Sequence, residues 1–162
     1  MTVDVEIQIE GLAEMDQALS AFTDKVAKKA LDSAISYATS PIVKEVKRLA
    51  AVAPEPHEMK YGNEYVEVQP GLLKSAIRRR KLKKRELEKL EASAGQAIYI
   101  GKGTKQKLYP RYWHFVEFGT QHSTPTPYLR PAFDTKREEA IQRFKTKLAQ
   151  NIESQQAINN AE

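Results

Sequence analysis

Val3, Val5, Ile7 and Ile9 alternate with Asp4, Glu6, Gln8 and Glu10. A period of two predicts a half-buried strand, which Gly11 ends. The period then lengthens. Leu19, Phe22, Val26, Ala30 and Ile35, followed by Ile42, Val43, Val46 and Leu49, recur at helical spacing. They predict a long helical stretch from about Leu12 to Ala51. Pro41 removes one intrahelical hydrogen bond, so a kink or restart is expected near Ser40. Ser40 would be the N-cap and Pro41 the first helical position.

Between Ala53 and Pro70 the pattern is lost. Pro54, Pro56, Gly62 and Pro70 punctuate a loop in which Tyr65–Val68 is a candidate short strand. Gly71–Ala76 reads as one helical turn, and Ile77–Lys84 as a strand rich in charge. Glu86–Ala92 fits either a further helical turn or part of a hairpin loop. Gln96–Gly101 is a strand, and Gly101–Lys105 a basic turn. Tyr109, Tyr112, Trp113, Phe115 and Phe118 follow at spacings that suit a short helix over Pro110–Phe118, capped by Gly119. Thr124–Pro127 must be extended, because residues before proline avoid the helical region. A final helix begins near Leu129 or Pro131 and runs to about Ile152, with Phe133, Ile141, Phe144 and Leu148 as its buried stripe. Beyond Ser154 the polar tail, residues 154–162, is expected to be frayed.

Together these elements predict an α+β fold. A small antiparallel sheet packs against a long N-terminal helix and a C-terminal helix, with long loops. A chain of 162 residues, 41% hydrophobic and 29% charged, fits one domain over residues 1–153. No internal repeat is visible.

Composition narrows the chemistry. The chain has no cysteine, which excludes disulfides and thiolate metal sites. The opening residues Met1–Glu6 are acidic where a signal peptide would be basic and then apolar. No apolar run approaches the roughly 20 residues that cross a bilayer. A soluble protein acting inside a cell, or in a particle assembled there, is expected. His57, His114 and His122 lack metal-ligand spacing, and the G-x-S-x-G elbow and the Walker pattern are missing. Gly101-Lys102-Gly103 is better explained by a hairpin turn than by a phosphate loop. Neither an enzyme nor a cofactor site is expected.

Charge is unevenly placed within a formal net of +5. Asp4, Glu6, Glu10, Glu14, Asp16 and Asp24 precede the first basic residue, Lys25. Arg78, Arg79, Arg80, Lys81, Lys83, Lys84 and Arg85 fall together with no acid among them. This basic run fits contact with DNA phosphates, or with an acidic neighbour such as a second copy of the chain. Aromatic residues are sparse there, so any nucleic-acid contact would not read sequence.

The stretch Tyr112-Trp113-His114-Phe115-Val116-Glu117-Phe118-Gly119-Thr120 is followed, after a polar turn, by Pro127-Tyr128-Leu129-Arg130-Pro131-Ala132-Phe133-Asp134. It resembles the hallmark of the tail-completion family of long-tailed bacteriophages. In that family an aromatic-x-x-Phe-Val-Glu-Phe-Gly-Thr stretch precedes Pro-aromatic-Leu-Arg-Pro-Ala and a charged helix. Ile42–Ala50 is similar to the family's long helix, and Gly71–Ile77 to its Thr-Gly-x-Leu-x-x-Ser-Ile element. The likeness runs from about Leu12 to Ile152. Gln69-Pro70 departs from the usual Asp-Thr, and Glu55–Gln69 is longer than the usual connection.

The resemblance implies an α+β structural virion protein, a neck or minor tail protein without cofactor or catalytic residue. It would join the head connector to the tail by self-assembly into a ring of six copies, or a multiple of that. Its partners would be a head-completion or connector protein and a tail-terminator or tail-tube protein. It would be assembled in the host cytoplasm. If the basic run lined the channel of such a ring, non-specific contact with phage DNA would follow. Phe115 and Phe118 would fill the core, Gly119 would supply a left-handed cap, and Glu117 would pair with Arg130. The rival expectation is a basic, non-sequence-specific DNA-binding protein of phage or prophage origin.

Overall fold

The computed structural model describes residues 13–161. The expected strand at Val3–Glu10 lies outside them. The elements are α1 (Ala13–Ser20), α2 (Asp24–Leu49), β1 (His57–Tyr61), β2 (Glu64–Val68), α3 (Leu72–Ala76), β3 (Ile77–Lys81), α4 (Lys84–Lys89), β4 (Gln96–Ile100), α5 (Trp113–Phe118) and α6 (Leu129–Asn159). The architecture is α+β, with the long helices α2 and α6 as its backbone.

Every fourth residue of α2 from Ala30 is buried: Ala30, Ala34, Ala38, Ile42 and Val46. This row forms one ridge, and its three alanines let the α6 backbone approach closely. Ala30 and Ala34 pack with Leu148 and Ile152, whereas Ile42 and Val46 share a cluster with Ala132 and Ala140. The two helices therefore run antiparallel. Asn151 donates from Nδ2 to the Ala30 carbonyl at 3.0 Å, across the crossing. Leu19 of α1 closes one end of the pair, and Leu73, Ile77 and Tyr128 close the other.

Helix α2 passes through Pro41 without interruption, so the expected restart at Ser40 is not observed. Pro41 is buried between Ala38 and Ile42, and packing on α6 outweighs the single lost hydrogen bond. The break comes earlier. Thr23 is extended, and its carbonyl accepts the N–H groups of Val26 and Ala27 to start the new helix. Helix α6 extends through Ser154 to Asn159, seven residues past the expected end at Ile152. Residues 153–158 are Glu, Ser, Gln, Gln, Ala and Ile, with no glycine or proline to stop a helix. In α6 the fully buried residues are Ala132, Ala140, Leu148 and Ile152, while Phe133, Ile141 and Phe144 are half-buried.

The strands form two separate antiparallel pairs. The candidate strand at Tyr65–Val68 is β2, and the part before it, expected to be loop, supplies its partner β1, so the two form a hairpin with His57 opposite Val68 and Met59 opposite Val66. Gly62, at φ 71°, makes its turn. Strand β3 pairs with β4, setting Arg78 opposite Tyr99 and Arg79 opposite Ile98. Both readings left open for Glu86–Ala92 hold: the helix α4 lies within the connection that joins the antiparallel partners β3 and β4. No helix among the described residues is long and apolar enough to cross a membrane.

Candidate functional site

Residues 112–134 form one locked unit. Helix α5 begins after Tyr112, and the Trp113 indole N–H donates to the Tyr109 hydroxyl at 2.7 Å. Gly119 ends the helix at φ 75° and ψ −177°, with its N–H donated to the Phe115 carbonyl at 2.8 Å. The positive φ matches the expected glycine cap, although ψ is extended rather than left-handed helical. A Cβ at Gly119 would come within 2.8 Å of Pro125 Cδ and 2.9 Å of the Ser123 carbonyl, so side chains are excluded twice over. Thr120 and Ser123 bridge across the turn that follows, and the Thr126 N–H returns to the Val116 carbonyl at 2.8 Å.

Glu117 is the one charged side chain buried among the described residues, at 6% exposure. Its carboxylate accepts the backbone N–H groups of Tyr128 at 2.8 Å, Leu129 at 3.0 Å and Arg130 at 3.3 Å. These are the donors that the start of α6 leaves without an intrahelical partner. Tyr128 provides no side-chain cap, and Pro131 has no N–H to satisfy. The negative charge also faces the positive end of the helix dipole. The expected ion pair with Arg130 is thus replaced by a cap on its backbone. Arg130 and Pro127 are exposed, and Leu129 and Pro131 are half-buried.

Phe115 and Phe118 do not fill the core. They are 50% and 49% exposed, three residues apart on the outer side of α5. His114 is also exposed, its ring 4.0 Å from that of Phe115. The inward face of α5 is instead supplied by Trp113, Val116 and Glu117. With Trp113, Val116 and Glu117 turned inward, the remaining positions of this six-residue helix, His114, Phe115 and Phe118, are left on its exposed side.

The basic run does not form a single patch, because strand geometry divides it. Arg79 and Lys81 share a face with the buried Ile77 and turn towards α2. Arg79 donates to the Ser36 carbonyl and the Thr39 hydroxyl, and Lys81 pairs with Asp32 at 2.7 Å. Arg78 and Arg80 take the other face. Arg78 donates to the Lys102 carbonyl. Arg80 forms a bidentate pair with Glu86, at 2.7 and 2.6 Å, and lies 5.9 Å from the Tyr99 ring centre. Lys83, Lys84 and Arg85 pass onto exposed positions at and within the start of α4, where Lys84 lies 3.9 Å from Glu88. Glu86 also accepts the Lys83 N–H at 2.7 Å. The Arg80 guanidinium and that N–H hold the Glu86 carboxyl well below the usual range, at about 2.

A second basic surface was not evident as a run in the sequence. An open depression of about 790 Å³ lies between α2, β3 and α6. Lys25, Lys28, Lys29, Arg79, Lys81 and Lys147 line it, with Asp32 as the one carboxylate. The three α2 lysines, Asp32, Ser36 and Ser40 recur at helical spacing, a signal available from a helical projection. Lys147 lies far along the chain and joins them through the α2–α6 packing.

A smaller cavity of about 310 Å³ is lined by residues including His57, Tyr112 and Val116. His57 Nδ1 is buried there without a partner. Among the described residues, no three His, Cys, Asp or Glu side chains gather as a metal-binding set. The chain matches no family model, no curated protein and no solved structure.

Proposed function

We propose that the chain is a structural virion protein of a long-tailed bacteriophage. It is a neck or tail-completion subunit that joins the head connector to the tail by ring-type self-assembly, without catalysing a reaction. The observation that supports this most is the build of residues 112–134, the stretch that resembles the tail-completion family. Glu117, Gly119 and the return bond from Thr126 fasten α5 to the start of α6. That rigid mount holds Phe115 and Phe118 out of the core. Two half-exposed phenylalanines on a fixed support suit docking against a neighbouring subunit, since little entropy is lost on binding.

The test is deletion of the gene in the parent phage, with complementation in trans and electron microscopy of the particles. Filled heads separate from finished tails, or tails with a faulty end, are the expected result. Joined particles should return when the wild-type gene is supplied. Normal particles accompanied by altered DNA replication or gene expression would refute the joining role.

A further inference from the structure

The depression between α2, β3 and α6 has a chemistry that the joining role does not use. Its cations come from three elements, and its sole carboxylate, Asp32, is already paired with Lys81. Along α2 the polar strip runs from Lys25 to Ser40, about 22 Å at 1.5 Å per residue. Lys25, Lys28 and Lys29 occupy the first part of the strip and Ser33, Ser36 and Ser40 the rest, and both ammonium and hydroxyl groups donate hydrogen bonds to phosphate oxygens. The depression is open, which suits a rod lying across it better than an enclosed small ligand.

The one aromatic ring in its lining is Tyr37, and the Arg143 guanidinium covers it at 5.3 Å from the ring centre. A single ring with one face so covered is no platform for stacking successive bases, so a single strand gains little over a duplex. Lysine lacks the planar fork that reads guanine, so backbone contact without sequence preference is favoured. An acidic helix is a poorer match. Helix α1 offers Glu14 and Asp16 over eight residues, about 12 Å, against a strip nearly twice as long.

We infer that this depression binds the phosphate backbone of double-stranded DNA without sequence preference. The inference stands independently of the joining role. The contact uses Lys25, Lys28, Lys29 and Lys147, which lie outside the basic run Arg78–Arg85. The experiment is fluorescence anisotropy of the full chain with a random-sequence duplex of about 30 base pairs, from about 50 to 200 mM salt.

Micromolar binding at the low end is expected, with a log–log salt slope near −4.5, as about five neutralised phosphates give. The triple variant Lys25→Ala/Lys28→Ala/Lys29→Ala should shrink that slope by about 2.7 and weaken binding at least tenfold. The Lys→Arg triple should bind as wild type does. Lys83→Ala/Lys84→Ala/Arg85→Ala on α4 should leave the slope unchanged. Three results would overturn the inference. One is no duplex binding at low salt. Another is a slope that responds to the α4 triple and not to the α2 triple. The third is loss of self-association, without any duplex binding, in the α2 triple, which would assign the surface to a second copy of the chain.

Discussion

Glu117 lies eleven residues before Tyr128, yet it caps the helix that Tyr128 introduces. Truncation would leave three backbone donors without their acceptor. Glu117→Ala should therefore lower stability by about 2–3 kcal/mol, read by urea denaturation. Glu117→Gln keeps an acceptor but loses the charge, and should cost about 1 kcal/mol. Arg130→Ala should stay within about 0.5 kcal/mol, because only its backbone takes part. A large loss at Arg130 would restore the side-chain ion pair. Tyr128 gives the opposite case. It is fully buried, its hydroxyl has no partner, and burial pushes that hydroxyl's pKa up. Tyr128→Phe removes an orphaned polar group and should leave stability unchanged or slightly raised. The resemblance set Glu117 and Arg130 together as a side-chain ion pair. It did not show that the partner is main chain, because every residue but proline carries the same N–H. The phenylalanines were misplaced for a related reason: helical spacing reveals that residues share a face, not which way that face points.

Elements with a strong period were legible, and those without were not. The ridge on α2 is visible as apolar residues at helical spacing, and it carries the helix through Pro41. Strand β1 was read as loop because Met59 is its one buried residue and two prolines stand just before it. The basic run was legible as charge but not as geometry, since alternation sends Arg79 and Lys81 one way and Arg78 and Arg80 the other. Helix α4 is held to β3 by the Arg80–Glu86 pair, which predicts a pH response. Glu86 has a folded pKa of about 2, below its ordinary 4.5. Its contribution is therefore present in full above pH 4.5 and is lost as the pH falls through about 2. NMR titration of the Glu86 side-chain carboxyl should find its midpoint near 2, and Arg80→Ala should move that midpoint upward. An unmoved midpoint would mean that the Lys83 N–H alone sets it.

At the scale of the molecule, the antiparallel α2–α6 pair brings together residues more than a hundred positions apart. Lys25 and Lys147 thus line one depression, which no linear reading of charge would find. The same pair fixes the start of α6, and through Glu117 it fixes the outward angle of α5. If Phe115 and Phe118 dock as proposed, stability and docking are carried by different side chains of one motif, and variants should separate them. Phe115→Ser/Phe118→Ser replaces half-exposed rings whose burial in the free subunit is incomplete. Thermal unfolding of the isolated double variant should stay close to wild type, because surface changes of this kind shift stability little. Assembly should respond far more strongly. If the rings anchor a subunit contact, each contributes as a buried aromatic does at an interface, about 2 kcal/mol or more. The double variant should then fail to restore joined particles in the deleted phage. Glu117→Ala should show both defects, being less stable and poorly assembled. A double serine variant that folds normally and also restores joined particles would remove Phe115 and Phe118 from the docking surface.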